Sequence, residues 1–311
     1  SSGNDNDWTA NNLTATSNEV TVASADGGLP IYNTTGDYGD VKGSGYRTDS
    51  DSSSLVLAIP MDGADSGTSF TDYHSAIKGS GSAKTVTATG VTTETEYSKF
   101  YGSSAYFTGA GNTSSYLSIP DSTDLDFQSS WTIECWVYYT RAIGSAEPIY
   151  ASNSDYKRPA IFRLTNGKMG YFITSNGSSW NILIGDGAAT GLGSITVASN
   201  VWNHVVFQWD GSTYKGYING ALDLSVTSST APYNASEAFT IGRWGQAYSM
   251  QGYVSDFRIY SGVAKYSSAF TVPTRQTNFA DFDVLSDSPS TYNDGGNGVG
   301  NYATLNPLHT G

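Results

Sequence analysis

Three short segments carry the residue types that hold sugars. They are Asn153-Ser-Asp155-Tyr156-Lys-Arg158, Ser175-Asn176-Gly-Ser-Ser-Trp180-Asn181 and Arg243-Trp244-Gly-Gln246-Ala-Tyr248. In each, an aromatic ring stands beside Asn, Asp, Gln or Arg. Aromatic faces stack on the C–H patches of a sugar ring, and planar polar groups grip its hydroxyls. The candidate glycan contacts are therefore Asp155, Tyr156, Arg158, Asn176, Trp180, Asn181, Trp244, Gln246 and Tyr248. Loops between strands are where binding residues concentrate. The plainer reading is that Trp180 and Trp244 cover the end of a fold, and that the Tyr, Ser and Gly loops are generic adaptable contacts.

Catalytic chemistry finds less support. Glycoside hydrolysis needs two carboxylates at a set separation across a cleft. The chain has six Glu, at positions 19, 94, 96, 134, 147 and 237. The close pair Glu94/Glu96 sits in a Thr-rich stretch, and Glu134 reads as an outward residue on a half-exposed strand. The histidines are His74 in a loop, His204 on a strand and His309 in the tail, and Gly-x-Ser-x-Gly does not occur. Cys135 alternates with Trp136 and reads as a small buried hydrophobe. Asn-x-Ser/Thr triplets at Asn12, Asn33, Asn112, Asn176 and Asn234 are expected by chance in so Ser/Thr-rich a chain.

Composition narrows the partners. Of 311 residues 14% are charged, well below the roughly 25% of an average domain, which disfavours a helical bundle or coiled coil. Net charge is −13, with 15 basic residues scattered singly, so nucleic acid and anionic membranes are excluded as partners on charge. A single Cys rules out a disulfide framework within one chain, and no 18-residue apolar run announces a membrane span. The start Ser1-Ser-Gly-Asn-Asp reads as that of a processed product or a piece of something longer.

Short strands must position these residues. Ser54–Pro60, Ser104–Phe107, Tyr116–Ile119, Thr132–Tyr139, Ala160–Leu164, Lys168–Ile173, Trp180–Ile184, Asn203–Trp209, Thr213–Ile218, Ala221–Val226, Phe239–Gly242 and Tyr253–Tyr260 mostly alternate apolar and polar. Asn166-Gly167, Asn176-Gly177, Asp210-Gly211 and Asn219-Gly220 mark turns. The pattern predicts an all-β, two-sheet antiparallel sandwich of jelly-roll type over 53–275. Trp131, Trp136, Trp202 and Trp209 are assigned to its core. Residues 1–52, with β-prone pieces at Glu19–Ala23 and Leu29–Tyr32, and residues 276–311 read as extended arms.

Several ordered landmarks resemble LamG-like jelly rolls of the concanavalin A-like lectin/glucanase superfamily. They are Tyr106-Phe-Thr-Gly, Tyr116-Leu-Ser-Ile-Pro-Asp-Ser, Trp131-Thr-Ile-Glu-Cys-Trp-Val, Trp202-Asn-His-Val-Val-Phe, Tyr217-Ile-Asn-Gly, Phe239-Thr-Ile-Gly-Arg and Gly252-Tyr-Val-Ser-Asp-Phe-Arg-Ile-Tyr. The resemblance implies a concanavalin A-like sandwich between the extended N- and C-terminal arms read from composition. The superfamily's glucanases carry acids at i, i+2 and i+4 on one strand, a constellation missing here. The resemblance also implies a structural role for His204 and a structural Ca2+ held by Asp62 and Asp256, although Ser255 replaces an expected acid. Asp49, Asp51 and Asp65 are further acids available to such a site; alternatively Asp62 caps a turn beside Gly63. Asp256-Phe-Arg-Ile-Tyr-Ser-Gly-Val-Ala-Lys-Tyr and Pro30-Ile-Tyr-Asn resemble LamG domains of marine bacteriophage tail fibres and structural proteins. The expected protein is a non-enzymatic virion or cell-surface module, on the virion surface or outside the cell, that binds host surface polysaccharide or decorates the particle. The alternative is an assembly protein, a homo-oligomer whose arms pair with neighbouring virion or surface subunits. A polysaccharide hydrolase ranks last.

Overall fold

The computed structural model describes residues 46–47, 49–109, 114–187, 189–245, 248–273 and 276–277. The Glu19–Ala23 and Leu29–Tyr32 pieces, Gln246, His309 and the triplets at Asn12, Asn33 and Asn112 lie outside the described residues. By contacts, residues 51–272 form one compact unit, and residues 1–50 with 273–311 another. What is described of the latter includes a parallel pairing of β1 (Tyr46–Arg47) with β19 (Gln276–Thr277).

The larger unit is the predicted sandwich. One sheet of eight strands runs β14 (Ala221–Thr227), β13 (Thr213–Ile218), β12 (Trp202–Trp209), β7 (Trp131–Tyr139), β18 (Gln251–Ser261), β5 (Ser104–Thr108) and β4 (Val91–Glu94). Its eighth strand, β2 (Leu55–Ile59), pairs with the second half of β18. The other sheet, of seven strands, runs β11 (Leu192–Thr196), β10 (Lys168–Phe172), β9 (Ala160–Arg163), β8 (Glu147–Ser152), β15 (Phe239–Ile241), β6 (Tyr116–Ile119) and β3 (Thr87–Thr89). Pairing within both sheets is antiparallel, as strands joined by tight turns require. Asn219 and Gly220 join β13 to β14 with φ of 50° and 80°, the double left-handed geometry of a type I′ hairpin turn.

Period-two alternation fills the space between the sheets. Trp131, Ile133, Cys135, Val137 and Tyr139 of β7 point inward with Val205, Phe207 and Trp209 of β12, and meet Ile149, Ile161, Met169 and Tyr171 of the facing sheet. Parity corrects part of the core assignment. Trp131 and Trp209 are core, whereas Trp136 and Trp202 lie at the opposite parity, on the outer face; Trp202 is half-buried there.

Local reading failed elsewhere for tertiary reasons. Trp180–Ile184 forms no strand beyond a single bridge of Leu183 to Ile173. The strand is instead β11, which Gly193 and the preceding Gly191 hide from propensity. A methyl on Gly193 would lie 2.1 Å from Asp223 Oδ2. That close approach is used: Asp223 of β14 accepts from the backbone N–H groups of Ser194 (2.7 Å) and Ile195 (2.6 Å) and from the Tyr171 hydroxyl (2.8 Å). The bonds tie together one edge of the sandwich, and burial raises the Asp223 carboxyl above its ordinary range despite them. His74, expected in a loop, opens the short helix α1 (His74–Lys78), and its Nδ1 donates to Asp72 Oδ2 at 2.7 Å.

Candidate functional site

The outer face of the seven-stranded sheet carries an aromatic platform. Ala151 of β8, Ala160 and Phe162 of β9 and Phe172 of β10 project away from the main core and form a satellite cluster, with Trp180 and Trp244 packed on it. The rings make one chain of contacts. Tyr156 meets Trp180 at 5.1 Å between centroids, Trp180 meets Phe172 at 5.4 Å, Phe172 meets Phe162 at 5.3 Å, and Phe162 meets Trp244 at 5.1 Å. Phe162 and Phe172 are the floor, at 3% and 8% exposure. Tyr156, Trp180 and Trp244 are half-buried, and Tyr248 is 38% exposed.

Each rim is built locally. Trp244 and Tyr248 are cross-strand partners in the short hairpin of β16 (Arg243–Trp244) and β17 (Tyr248–Ser249), so their rings stack at 5.3 Å and 11°. Arg243 beneath them is 4% exposed, lies 3.5 Å from the Tyr116 ring centroid, and donates to Asn153 Oδ1. At the other rim, Asn176 Oδ1 accepts from the N–H groups of Ser178 (2.9 Å) and Ser179 (3.0 Å). Asn181 Oδ1 accepts from Ser175 N–H at 2.8 Å, while its Nδ2 donates to Ser175 Oγ at 2.9 Å. These bonds hold Trp180 over Phe172. Tyr156 adopts φ of 63°, a left-handed conformation costly for an aromatic residue, in the segment facing this loop.

The structure thus brings four of the nine proposed contacts together: Tyr156, Trp180, Trp244 and Tyr248. Asp155 is exposed nearby, its Oδ1 3.9 Å from where a methyl on Gly245 would sit. Arg158 is corrected. It is 2% exposed and donates to the carbonyls of Leu125, Ala235 and Glu237 while pairing with Asp121, so it anchors loops instead of facing solvent. Asn176 and Asn181 are exposed but spend side-chain bonds on their own loop. Phe162 and Phe172 were missed as site residues. Their signal is legible, since Ile161-Phe162 and Tyr171-Phe172 are apolar at both parities, which marks a strand covered on both faces.

The other sheet buries its charges. Glu134, expected on a half-exposed strand, is 2% exposed. Its Oε1 accepts from Lys265 Nζ (2.8 Å) and the Tyr260 hydroxyl (3.1 Å), and its Oε2 from the Tyr266 hydroxyl (2.6 Å). Residues 262–270, after β18, cross this face; Tyr266 and Phe270 stack at 3.6 Å, and Phe270 meets the His204 ring at 5.9 Å. On the platform's own sheet, Glu147 of β8 is likewise buried, paired with Arg163 of β9, and burial raises its carboxyl above the ordinary range against the pull of that arginine.

The aspartates assigned to calcium fit it poorly. Asp256, 2% exposed with φ of 53°, accepts from Arg258 Nε at 2.8 Å and from the Tyr101 hydroxyl at 3.0 Å. A guanidinium on the carboxylate supplies the charge a cation would. Asp62 is held above its ordinary range by burial. Among the described residues, no group of three or more His, Cys, Asp or Glu side chains is placed to hold a metal ion. Ca2+ takes six to eight oxygens, mostly from such acids and from carbonyls. No described helix is long and apolar enough to cross a membrane.

Comparison with known proteins places the fold. No curated protein sequence matches the chain. Among solved structures, the binding domain of Paraclostridial Mosquitocidal Protein 1 superposes with a TM-score of 0.53 at 15% identity, covering 69% of this chain and 50% of that one. The chain therefore spans about half the length of that toxin domain. Domain 4 of AbnA, a GH43 extracellular arabinanase from Geobacillus stearothermophilus solved with arabinotriose, gives 0.47 at 18% identity, over 68% of this chain and 94% of that one. The binding domain of Botulinum Neurotoxin DC in complex with SialylT gives 0.47 at 12% identity, over 75% and 51%. Residues 110–266 match a laminin-G-type family model, and with the jelly roll, its sheet order and its ordered landmarks in agreement, the chain belongs to the concanavalin A-like lectin/glucanases superfamily.

Proposed function

We propose that the jelly roll is a non-catalytic, lectin-like module that holds a glycan on the platform of Tyr156, Trp180, Trp244 and Tyr248. The carrying observation is the convergence of three sequence-distant loops into one continuous, partly exposed aromatic surface over a phenylalanine floor. Sugar rings stack their C–H faces on such surfaces. Two acids are withdrawn from catalysis: Glu134 is enclosed by three donors, and Glu147 is locked to Arg163. The setting we infer is an exposed virion or cell surface, with host polysaccharide as the ligand. A net charge of −13 suits it by keeping such surfaces soluble and apart.

The test is a glycan array together with adsorption of labelled protein to candidate host cells. Binding that Trp180→Ala or Trp244→Ala weakens by about tenfold supports the reading, since truncating an anchoring aromatic costs more than about 1 kcal/mol. Absence of binding to both sugars and cells overturns it.

A further inference from the structure

The outer face of the eight-stranded sheet holds cations against rings at two successive stations along β7. The inward positions of that strand are Ile133, Cys135, Val137 and Tyr139, so Glu134, Trp136 and Tyr138 point outward. At the first station Lys265 Nζ lies 2.8 Å from Glu134 Oε1 and 3.9 Å from the centroid of the Tyr260 ring. At the second, Lys99 Nζ lies 3.9 Å from the centroid of Trp136 and 5.5 Å from that of Phe100. An ammonium over a ring face is drawn to the negative π-cloud, and a carboxylate beside the ring adds to the pull.

The third station, at Tyr138, is larger and has the same parts. Tyr138 is in cross-strand register with Trp202 of β12 on one side and Tyr253 of β18 on the other, and Tyr253 is in register with Tyr106 of β5. Centroids along Tyr106–Tyr253–Tyr138–Trp202 are 4.9, 6.0 and 5.6 Å apart. Tyr97 packs on this row, 4.7 Å from Tyr138 and 4.9 Å from Tyr253. Tyr97, Tyr106, Tyr138 and Trp202 are half-buried, so their rings reach solvent. Carboxylates flank the row. Thr92 of β4 stands opposite Tyr106 and donates to Glu94 Oε1 at 2.8 Å. Glu96 is exposed, and its charge raises the Tyr97 phenol above its ordinary range. Burial first, then Glu96, raises the Tyr253 phenol as well. Among the described residues, no lysine or arginine lies over a ring of this row.

These parts select a ligand by charge. Rings alone would take any apolar group, but rings set among carboxylates favour an organic cation and repel phosphate, sulfate and carboxylate. Arg fits best, because its flat guanidinium stacks on a ring while its N–H groups fork onto a carboxylate. The row is too long for one free cation. It crosses four adjacent strands, a length that about five residues of extended chain cover at roughly 3.3 Å each. Tyr and Trp are also residues that anchor protein partners. A net charge of −13 draws a basic partner in from a distance.

We infer that the Tyr106–Tyr253–Tyr138–Trp202 row, with Tyr97, Glu94 and Glu96, is a docking surface for an extended basic segment of a partner protein. The segment sets an Arg or Lys side chain against these rings as Lys99 and Lys265 are set against theirs. The surface lies on the opposite sheet from the platform of Tyr156 and Trp180 and shares no residue with it, so it stands whether or not the platform holds a glycan.

The experiment is fluorescence polarisation of labelled peptides with the full chain. Salt is held at about 0.15 M, where a Debye length of about 8 Å screens the diffuse pull of the net charge. The probes are a peptide alternating Ser and Arg, and the same peptide with citrulline, an uncharged isostere, in place of Arg. Four proteins are compared: wild type, Tyr138→Ser/Trp202→Ser, Glu94→Gln/Glu96→Gln, and Asp186→Asn/Asp210→Asn, which removes the same charge from exposed acids elsewhere. The proposal expects one saturable site for the Arg peptide on wild type. It expects binding about tenfold weaker or worse for the citrulline peptide, for the ring variant and for the Glu variant, with the Asp variant at wild-type affinity. The Glu variant changes no ring, so it decides the matter if the ring variant fails to fold. Equal weakening in the two charge variants, equal binding of the two peptides, or no binding by wild type overturns the proposal. Displacement of the Arg peptide by free arginine amide at matching concentration also overturns it, and makes the site one for a small organic cation.

Discussion

Replacing Glu134 by Ala separates a structural glutamate from a catalytic one. Its carboxylate accepts from Lys265 Nζ, the Tyr260 hydroxyl and the Tyr266 hydroxyl, and the lysine side chain is only 6% exposed. The variant leaves a buried ammonium without its carboxylate and two phenols short of an acceptor. Breaking a buried ion pair from one side costs about 3–5 kcal/mol. For a unit of some 220 residues, each kcal/mol moves Tm by roughly 2–4 °C, so the expected drop is about 6–20 °C. Glu134→Gln keeps one acceptor oxygen but loses the charge and replaces the other oxygen with an amide donor, which predicts a smaller loss of about 1–3 kcal/mol. Thermal unfolding by circular dichroism, repeated in urea to give the free energy, reads both. Limited proteolysis supplies a second readout, because Lys265 and Tyr266 fasten residues 262–270 to the sheet; Glu134→Ala should expose a cut there ahead of global unfolding. A Glu134→Ala loss below about 1 kcal/mol would refute the argument. A stable Glu134→Gln protein that lost a sugar-releasing activity present in wild type would reassign Glu134 to catalysis.

Three further outcomes follow from the same structure. Gly216→Ala places a methyl 2.4 Å from the ring and hydroxyl of Tyr171, which is fully buried and bound to Asp223, so overpacking should cost about 1–3 kcal/mol or more in urea unfolding. Asp72 is pushed up by burial, but His74 and three backbone N–H groups outweigh that and hold it below its ordinary 3.8. Its contribution is therefore present above that pH and lost as pH falls through the lower folded value; Asp72→Asn should be less stable at neutral pH and show a flatter acid limb when unfolding is followed between pH 2 and 5. Chelating divalent cations should leave Tm unchanged, since Asp256 already has Arg258 as its counter-charge; a fall in Tm restored by added Ca2+ would show an unrecognised site.

The sandwich was readable because its strands alternate with period two and its turns carry Asn-Gly and Asp-Gly pairs. β11 escaped because Gly191 and Gly193 serve close approaches, to Tyr171 and Asp223, which propensity cannot foresee. Three loops were picked for their aromatic and polar content, and the aromatics do converge. Their convergence depends on β8, β9 and β10 lying side by side, which is long-range pairing and invisible locally. Arg158, Asn176 and Asn181 have the side chains a sugar site needs, but composition does not say whether a donor faces solvent or a carbonyl of its own fold. Glu134 failed for a related reason: the segment that buries it lies 131 residues away, at Lys265.

The most direct measurement is calorimetric titration of the strongest array ligand into wild type, Trp180→Ala, Trp244→Ala and the double variant, with unfolding curves recorded alongside. The account predicts saturable binding by wild type, a loss of about 1–2 kcal/mol in each single variant, a larger loss in the double variant, and little change in Tm because both rings are half-exposed. Equal affinity across the four proteins, with the fold intact, would contradict the claim that this aromatic face holds the glycan.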